Sequence, residues 1–219
     1  MMNGNKTFVI GDIHGQLGML ENLMAKIPWR PDKDALVFLG DYIDRGPDSR
    51  GVVDYILSLS GNCSRISCVL GNHEGMLLDY LAGVDKKLYL ANGGGLTLKA
   101  YKRDKGLLST LFLHEIPNDH AVFYNSLKPY VEIEDYYLIH AGFMPGVPIS
   151  LQTRFDMMWI REPFISSTYD FGKKIVFGHT SFMAPLVMKN KIGIDTGAAY
   201  GRRLCCLELP AEKFYFATG

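Results

Sequence analysis

The sequence predicts an α/β fold with two sheets, and three observations carry the prediction. Short apolar runs end abruptly at Gly-Asp or Gly-Asn, a stretch of helical periodicity follows each, and the pattern returns after about 30 residues, the length of a βαβ unit. Past the midpoint this rhythm gives way to shorter strand-like runs divided by turn residues.

The first run, TFVIGDIHG (7–15), leads into QLGMLENLMAKI (16–27). The second, ALVFLGDYIDRG (35–46), leads into SRGVVDYILSLS (49–60), and the third, ISCVLGNHEG (66–75), into EGMLLDYLAGV (74–84). These runs are apolar throughout rather than alternating, which suits strands covered on both faces of a largely parallel sheet. Pro47 and Asp48-Ser49 close the loop after the second run and offer an N-cap to the next helix. A further helical region contains the glycine-rich break NGGG (92–95). The later runs are YVEIEDYYLIHAG (130–142), KIVFGHT (174–180), APLVMKNKIGIDTG (184–197) and RLCCLELPAEKFYFAT (203–218), with KNK and LPAEK as hairpin turns. They predict a second, mainly antiparallel sheet packed on the first. No Gly/Ser/Pro-rich linker divides the halves, so residues 1–219 are expected to form one domain, as the length also suits.

Composition narrows the function. With 47% hydrophobic and 21% charged residues the chain reads as a soluble globular protein. Lys+Arg and Asp+Glu both total 23, and the run Lys102-Arg103-Asp104-Lys105 is short and mixed, so it reads as solvated surface and no nucleic-acid partner is expected. No run approaches the ~20 apolar residues of a membrane span and no signal-peptide-like segment precedes the first strand, so a cytoplasmic protein with no membrane partner is expected. Cys63, Cys68, Cys205 and Cys206 lie in or beside apolar runs without ligand spacing and are expected as small core residues.

Four histidines, His14, His73, His140 and His179, stand at the end of an apolar run, and Asp12, Asp41 and Asn72 occupy equivalent places. Ligands of a parallel sheet bind beyond the carboxyl ends of its strands, so these distant residues converge on one rim. Imidazole, carboxylate and amide oxygen together form a donor set for first-row transition metals rather than for calcium or magnesium alone, and there are enough donors for two ions. A carboxylate between two such ions can bridge them at the ~3.5–4 Å spacing of two-metal hydrolytic sites. His114 and His120 belong to no such motif and are expected at the surface.

GDIHG, GDYIDRG and GNHE, followed by HAG and GHT, resemble the signature series of the PPP-type phosphoprotein phosphatases within the calcineurin-like metallophosphoesterases. They stand in that family's order and approximate spacing over residues 11–180, most of the chain. The resemblance implies a four-layer α/β sandwich, two mixed β-sheets face to face flanked by helices. It further implies a metal-dependent serine/threonine protein phosphatase acting on a phosphorylated protein or peptide. Its two divalent ions would be manganese by the habit of bacterial members, with iron or zinc as alternatives. Asp12, His14 and His179 would hold one ion, Asn72 and His140 the other, and Asp41 would bridge them. His73, paired with Asp44, would be the general acid that protonates the leaving alkoxide. Arg45, and Arg161 from WIREPF, would grip the phosphate oxygens beside Asn72 and His73, where a planar guanidinium outperforms lysine. Tyr200, in DTGAAYG, matches a loop tyrosine that the family places over the site, while Asp195 in the same loop is expected to stabilise a turn.

A second substrate class stays open by the same resemblance, because the symmetrical diadenosine tetraphosphate hydrolases carry similar motifs. Those enzymes tend to have alanine at the place of Asp44 and GNHD in place of GNHE, and NGGG resembles a segment of bacterial and phage-type protein phosphatases. The phosphoprotein reading therefore leads. A non-catalytic binding module of the same fold would be expected to lack a ligand or the acid, and neutral charge with the DRG arginine disfavours a nuclease. Oligomeric state leaves no mark in the sequence.

Overall fold

The computed structural model describes residues 5–61, 63, 65–102 and 115–219. The chain begins as its rhythm predicts, with β1 (Thr7–Ile10), α1 (Leu17–Lys26), β2 (Ala35–Phe38), α2 (Ser49–Ser60), β3 (Ile66–Cys68) and α3 (Asn72–Leu81). Three short helices follow: α4 (Lys86–Ala91), α5 (Gly95–Tyr101) and α6 (Asn118–Ser126). The rest comprises β4 (Tyr130–Ile133), β5 (Tyr136–Ile139), α7 (Arg154–Trp159), β6 (Lys174–Phe177), β7 (Leu186–Val187), β8 (Lys191–Gly193), β9 (Leu204–Leu209) and β10 (Lys213–Ala217). Helix α2 starts where the sequence offers its cap: the Asp48 carboxylate accepts the Gly51 N–H at 2.9 Å, and Val52, Val53 and Ile56 form the buried stripe.

The first sheet has the order β10-β9-β1-β2-β3, with β1, β2 and β3 parallel. The second has the order β4-β5-β6-β8-β7. Its centre, β5-β6-β8, is parallel and its two edges are antiparallel, so it is mixed rather than mainly antiparallel. The run YVEIEDYYLI turns at Glu134-Asp135 into two paired strands. The LPAEK hairpin, β9-β10, departs further from expectation because it joins the first sheet, where Thr7 pairs with Leu209 and Ile10 with Cys206. All six residues of β9 are buried, and a strand covered on both faces carries no alternation to say which sheet will take it.

Alternation of side chains across the strands builds the layers. Phe8, Ile10, Leu36 and Phe38 face the helices and pack with Leu20, Leu23, Val53 and Ile56. Val9, Val37, Cys205 and Leu207 point the other way and meet Leu138, Val176 and Ile192 of the second sheet. On the outer face of that sheet, Ile139, Ile175 and Phe177 pack with Met157, Ile160 and Phe164. Three apolar seams thus hold four layers, with the two sheets face to face. The four cysteines are free thiols; Cys63, Cys205 and Cys206 are buried and Cys68 is half-buried.

His120 is not a surface residue. It is buried, with Nδ1 2.7 Å from the Tyr101 hydroxyl and Nε2 2.8 Å from an Asp54 oxygen, because a polar pocket between α2, α5 and α6 needs a group with two hydrogen-bonding nitrogens. His114 and most of the run 102–105 lie outside the described residues. Among the described residues no helix is long and apolar enough to cross a membrane.

Candidate active site

The turns beyond β1, β2, β3, β5 and β6 meet at one rim and deliver Asp12 and His14, Asp41 to Arg45, Asn72 to Glu74, His140, and His179. Their backbone is bent hard. Six described non-glycine residues have positive φ: His14 (49°), Asp41 (52°), Asp44 (69°), Arg45 (64°), His179 (60°) and Glu212 (49°). All but Glu212 belong to this rim, and such clustering of costly backbone marks a functional site. Gly40 (φ 104°) completes the path: a Cβ there would stand 2.6 Å from the Gly71 nitrogen.

Asp41 sits at the centre. Its Oδ2 lies 3.4 Å from His14 Nε2 and 4.0 Å from His73 Nε2, and its Oδ1 lies 3.5 Å from His140 Nε2. Two groups of ligand-type atoms result, His14-Asp41-His73 and Asp41-His140-His179, sharing one carboxylate. Asn72 Oδ1 joins the second group, 2.9 Å from His140 Nε2 and 3.0 Å from His179 Nδ1. His179 therefore stands with Asn72 and His140 instead of beside His14. Asp12 is buried next to the cluster but outside both groups; its two oxygens accept the His179 backbone N–H at 3.1 and 2.9 Å.

These residues fit divalent cations. His14 and His140 each direct Nδ1 at a backbone carbonyl, of Ile43 and Leu39, both at 2.9 Å, so Nε2 of each presents a lone pair to Asp41. Burial lowers the pKa of His14 to about 3 and depresses those of His140 and His179, which keeps the imidazoles neutral. Burial, reinforced by neighbouring carboxylates, pushes Asp12 and Glu74 well up. Neutral imidazoles around crowded buried carboxylates form a donor set that calls for positive charge.

His73 differs from the other imidazoles. Its Nδ1 meets a carboxylate oxygen, Asp44 Oδ2, at 2.7 Å, while its buried Nε2 has no hydrogen-bond partner among the described residues. The second oxygen of Asp44 accepts the Tyr89 hydroxyl at 2.8 Å and the Thr97 hydroxyl at 2.5 Å. Ser49 and Thr97 also accept the Asp44 backbone N–H. Asp44 is thus fixed from four directions. The NGGG stretch makes this close packing feasible, since a Cβ on Gly94 would lie 2.5 Å from the Tyr89 ring. Glu74 plays a comparable part for the bend at Asp41, accepting the N–H groups of Asp41 and Tyr42, each at 2.9 Å.

The two arginines flank the cluster. Arg45, exposed, donates from Nη1 to His14 Nε2 at 3.1 Å and lies 6.0 Å from the Tyr200 ring centroid. Arg161, also exposed, contacts Thr180 Oγ1 at 3.4 Å, and its charge helps depress His140 and His179. Tyr200 is 63% exposed and so stands over the rim rather than in it. Asp195 accepts the Gly197 N–H at 2.8 Å in the turn that its sequence context suggests, and burial raises its pKa to about 6. Sequence reasoning missed Tyr89, Thr97, Ser49 and the backbone role of Glu74; the NGGG stretch, which signals a tight approach nearby, was the available clue.

A dinuclear-type histidine and aspartate cluster at the rim of a two-sheet α/β sandwich is the arrangement of a metallophosphoesterase. Residues 6–190 match the calcineurin-like phosphoesterase family, and the chain belongs to it. Over 211 residues it is 30% identical to serine/threonine-protein phosphatase 1 of Salmonella typhimurium, covering 92% of this chain and 91% of that one. It is 26% identical over 234 residues to the asymmetrical bis(5'-nucleosyl)-tetraphosphatase PrpE of Oceanobacillus iheyensis, covering 95% and 90%. A solved structure whose assignment as a diadenosine tetraphosphatase is provisional shares the fold with a TM-score of 0.79 at 24% identity, covering 99% of this chain and 95% of that one.

Proposed function

We propose that the protein is a metal-dependent serine/threonine protein phosphatase that hydrolyses phosphate monoesters on protein side chains. The observation that carries this reading is the His73-Asp44 pair, a fixed acid beside a site of phosphoesterase type. The proposed ligands are Asp12, His14 and Asp41 for one ion and Asp41, Asn72, His140 and His179 for the other, with manganese the first candidate. When bound, two such ions supply an activated water and stabilise charge on the transferring phosphoryl group. Asp44 holds the His73 Nδ1–H, so Nε2 carries the proton that passes to the departing alkoxide. Arg45 and Arg161 approach from opposite ends of the cluster, where their forks take the phosphate oxygens and offset charge developing in the in-line transition state.

Removing one fork tests its role. Arg45→Ala is expected to lower kcat/KM for phosphate monoesters about 10- to 100-fold. Unchanged steady-state kinetics would mean that Arg45 points elsewhere.

Cleavage of dinucleoside polyphosphates is the second reading, favoured by the nearly full-length similarity to a bis(5'-nucleosyl)-tetraphosphatase. Comparing kcat/KM for a phosphoserine or phosphothreonine peptide with that for diadenosine tetraphosphate, both with Mn²⁺, decides between them. The peptide is expected to be preferred, and a strong preference for the dinucleotide overturns the first reading.

A further inference from the structure

The KNK turn, a plain hairpin in the sequence, buries a lysine that the proposed chemistry does not use. Lys191, in β8, is 0% exposed. Its ammonium group donates to the carbonyls of Phe164, Ile165 (3.4 Å) and Ser167 (2.7 Å) and lies 4.3 Å from the Phe164 ring centroid. Asn190 adds Nδ2 bonds to the carbonyls of Ser167 at 3.2 Å and Tyr169 at 3.0 Å. Burial lowers the pKa of Lys191, so the charged form is held at a cost that an apolar side chain would avoid. The return on that cost lies in what the ammonium grips.

The gripped carbonyls end a helical turn that begins at Arg161, since Ile165 N–H donates to the Arg161 carbonyl at 2.9 Å and Ser167 N–H to that of Pro163 at 3.2 Å. The Phe164 carbonyl also accepts the Ser167 N–H at 3.3 Å, whereas the carbonyls at the very end of such a turn lack a partner within it, and a cation satisfies them well. The same turn is anchored from its other side. The Phe164 ring sits 2.4 Å from where a Cβ on Gly142 would stand, two residues past His140, and meets Phe177 edge to face at 5.1 Å. The turn is therefore registered against the strand ends that present His140 and His179. Arg161 itself is exposed, with a 3.4 Å contact to Thr180, so the turn sets where its Cα stands and hence what its guanidinium can reach.

We propose that Lys191 is a positioning residue: its buried ammonium clamps the turn 161–167 and so aims Arg161 at phosphate bound beside His140 and His179. The inference rests on the reading of Arg161 as a phosphate-binding residue. A double-mutant cycle separates the two. Arg161→Ala is expected to lower kcat/KM for p-nitrophenyl phosphate about 100-fold and Lys191→Met about 10-fold, with the double variant within about twofold of Arg161→Ala alone. Affinity for inorganic phosphate, measured by calorimetry, should weaken in the same pattern while metal stoichiometry stays unchanged. A double variant a further ~10-fold below Arg161→Ala would mean that Lys191 supports the fold at large, and would overturn the inference. Asn190→Ala, which removes only the outer bonds to the turn, keeps the test available if Lys191→Met does not fold. It is expected to cost about threefold in the parent and nothing in the Arg161→Ala background, and equal losses in both overturn the inference. An Arg161→Ala enzyme as active as the parent overturns the reading of Arg161 and the inference together.

Discussion

Replacing His73 by asparagine is expected to lower kcat on an alkyl phosphate monoester about 100- to 1,000-fold, while hydrolysis of p-nitrophenyl phosphate falls less than about tenfold. The difference follows from the leaving group: an alkoxide needs a proton as it departs, whereas p-nitrophenolate does not. In the variant Asp44 Oδ1 keeps its bonds from Tyr89 and Thr97, whereas Oδ2 loses the imidazole and relies on the new amide, so circular dichroism of the variant accompanies the assay. Stopped assays on the two substrates at one pH suffice, and equal losses on both would argue against a general acid.

Asp41→Asn is expected to remove tight binding of the metal pair and to lower kcat/KM about 1,000-fold or more. Asp41 faces His14 and His73 with one oxygen and His140 with the other, so the substitution takes the shared negative charge from both groups at once. Asparagine tolerates the left-handed backbone at this position (φ 52°) as well as aspartate does, so the change acts on charge rather than on the bend. Equilibrium dialysis with Mn²⁺ alongside steady-state kinetics reads both consequences. Full activity with two tightly bound ions would sink the assignment of Asp41 as the bridge.

What the sequence revealed and what it hid divide along physical lines. Strands β1, β2 and β3 were legible because each apolar run, its stop and its helix lie within one local unit. The polar residues that interrupt those runs were equally visible, since one histidine at a strand end reads as a turn residue but four, with Asp12, Asp41 and Asn72 at equivalent ends, do not. Partners supplied from helices were not. Tyr89 and Thr97 occupy positions where a tyrosine or threonine reads as ordinary core packing, and only the fold brings them onto Asp44. His120 was misplaced for the same reason, its partners Tyr101 and Asp54 being set by tertiary contact. The grouping of His179 with Asn72 and His140 likewise depends on how β6 lies beside β5, a register no local pattern encodes.

The pairing of β1 with β9 carries a consequence for how the molecule comes into being. The strand that presents Asp12 and His14 gains one of its two neighbours only after about 200 more residues have been added, which takes a ribosome on the order of 10–40 s. Throughout that interval the nascent chain holds an open, apolar strand edge, the kind that pairs with strangers. His140 and His179 arrive before β9 closes the sheet, so the proposed ligand set is synthesised before the frame that holds it is complete. The rim that gathers these residues is therefore framed only once β9 has been made and paired.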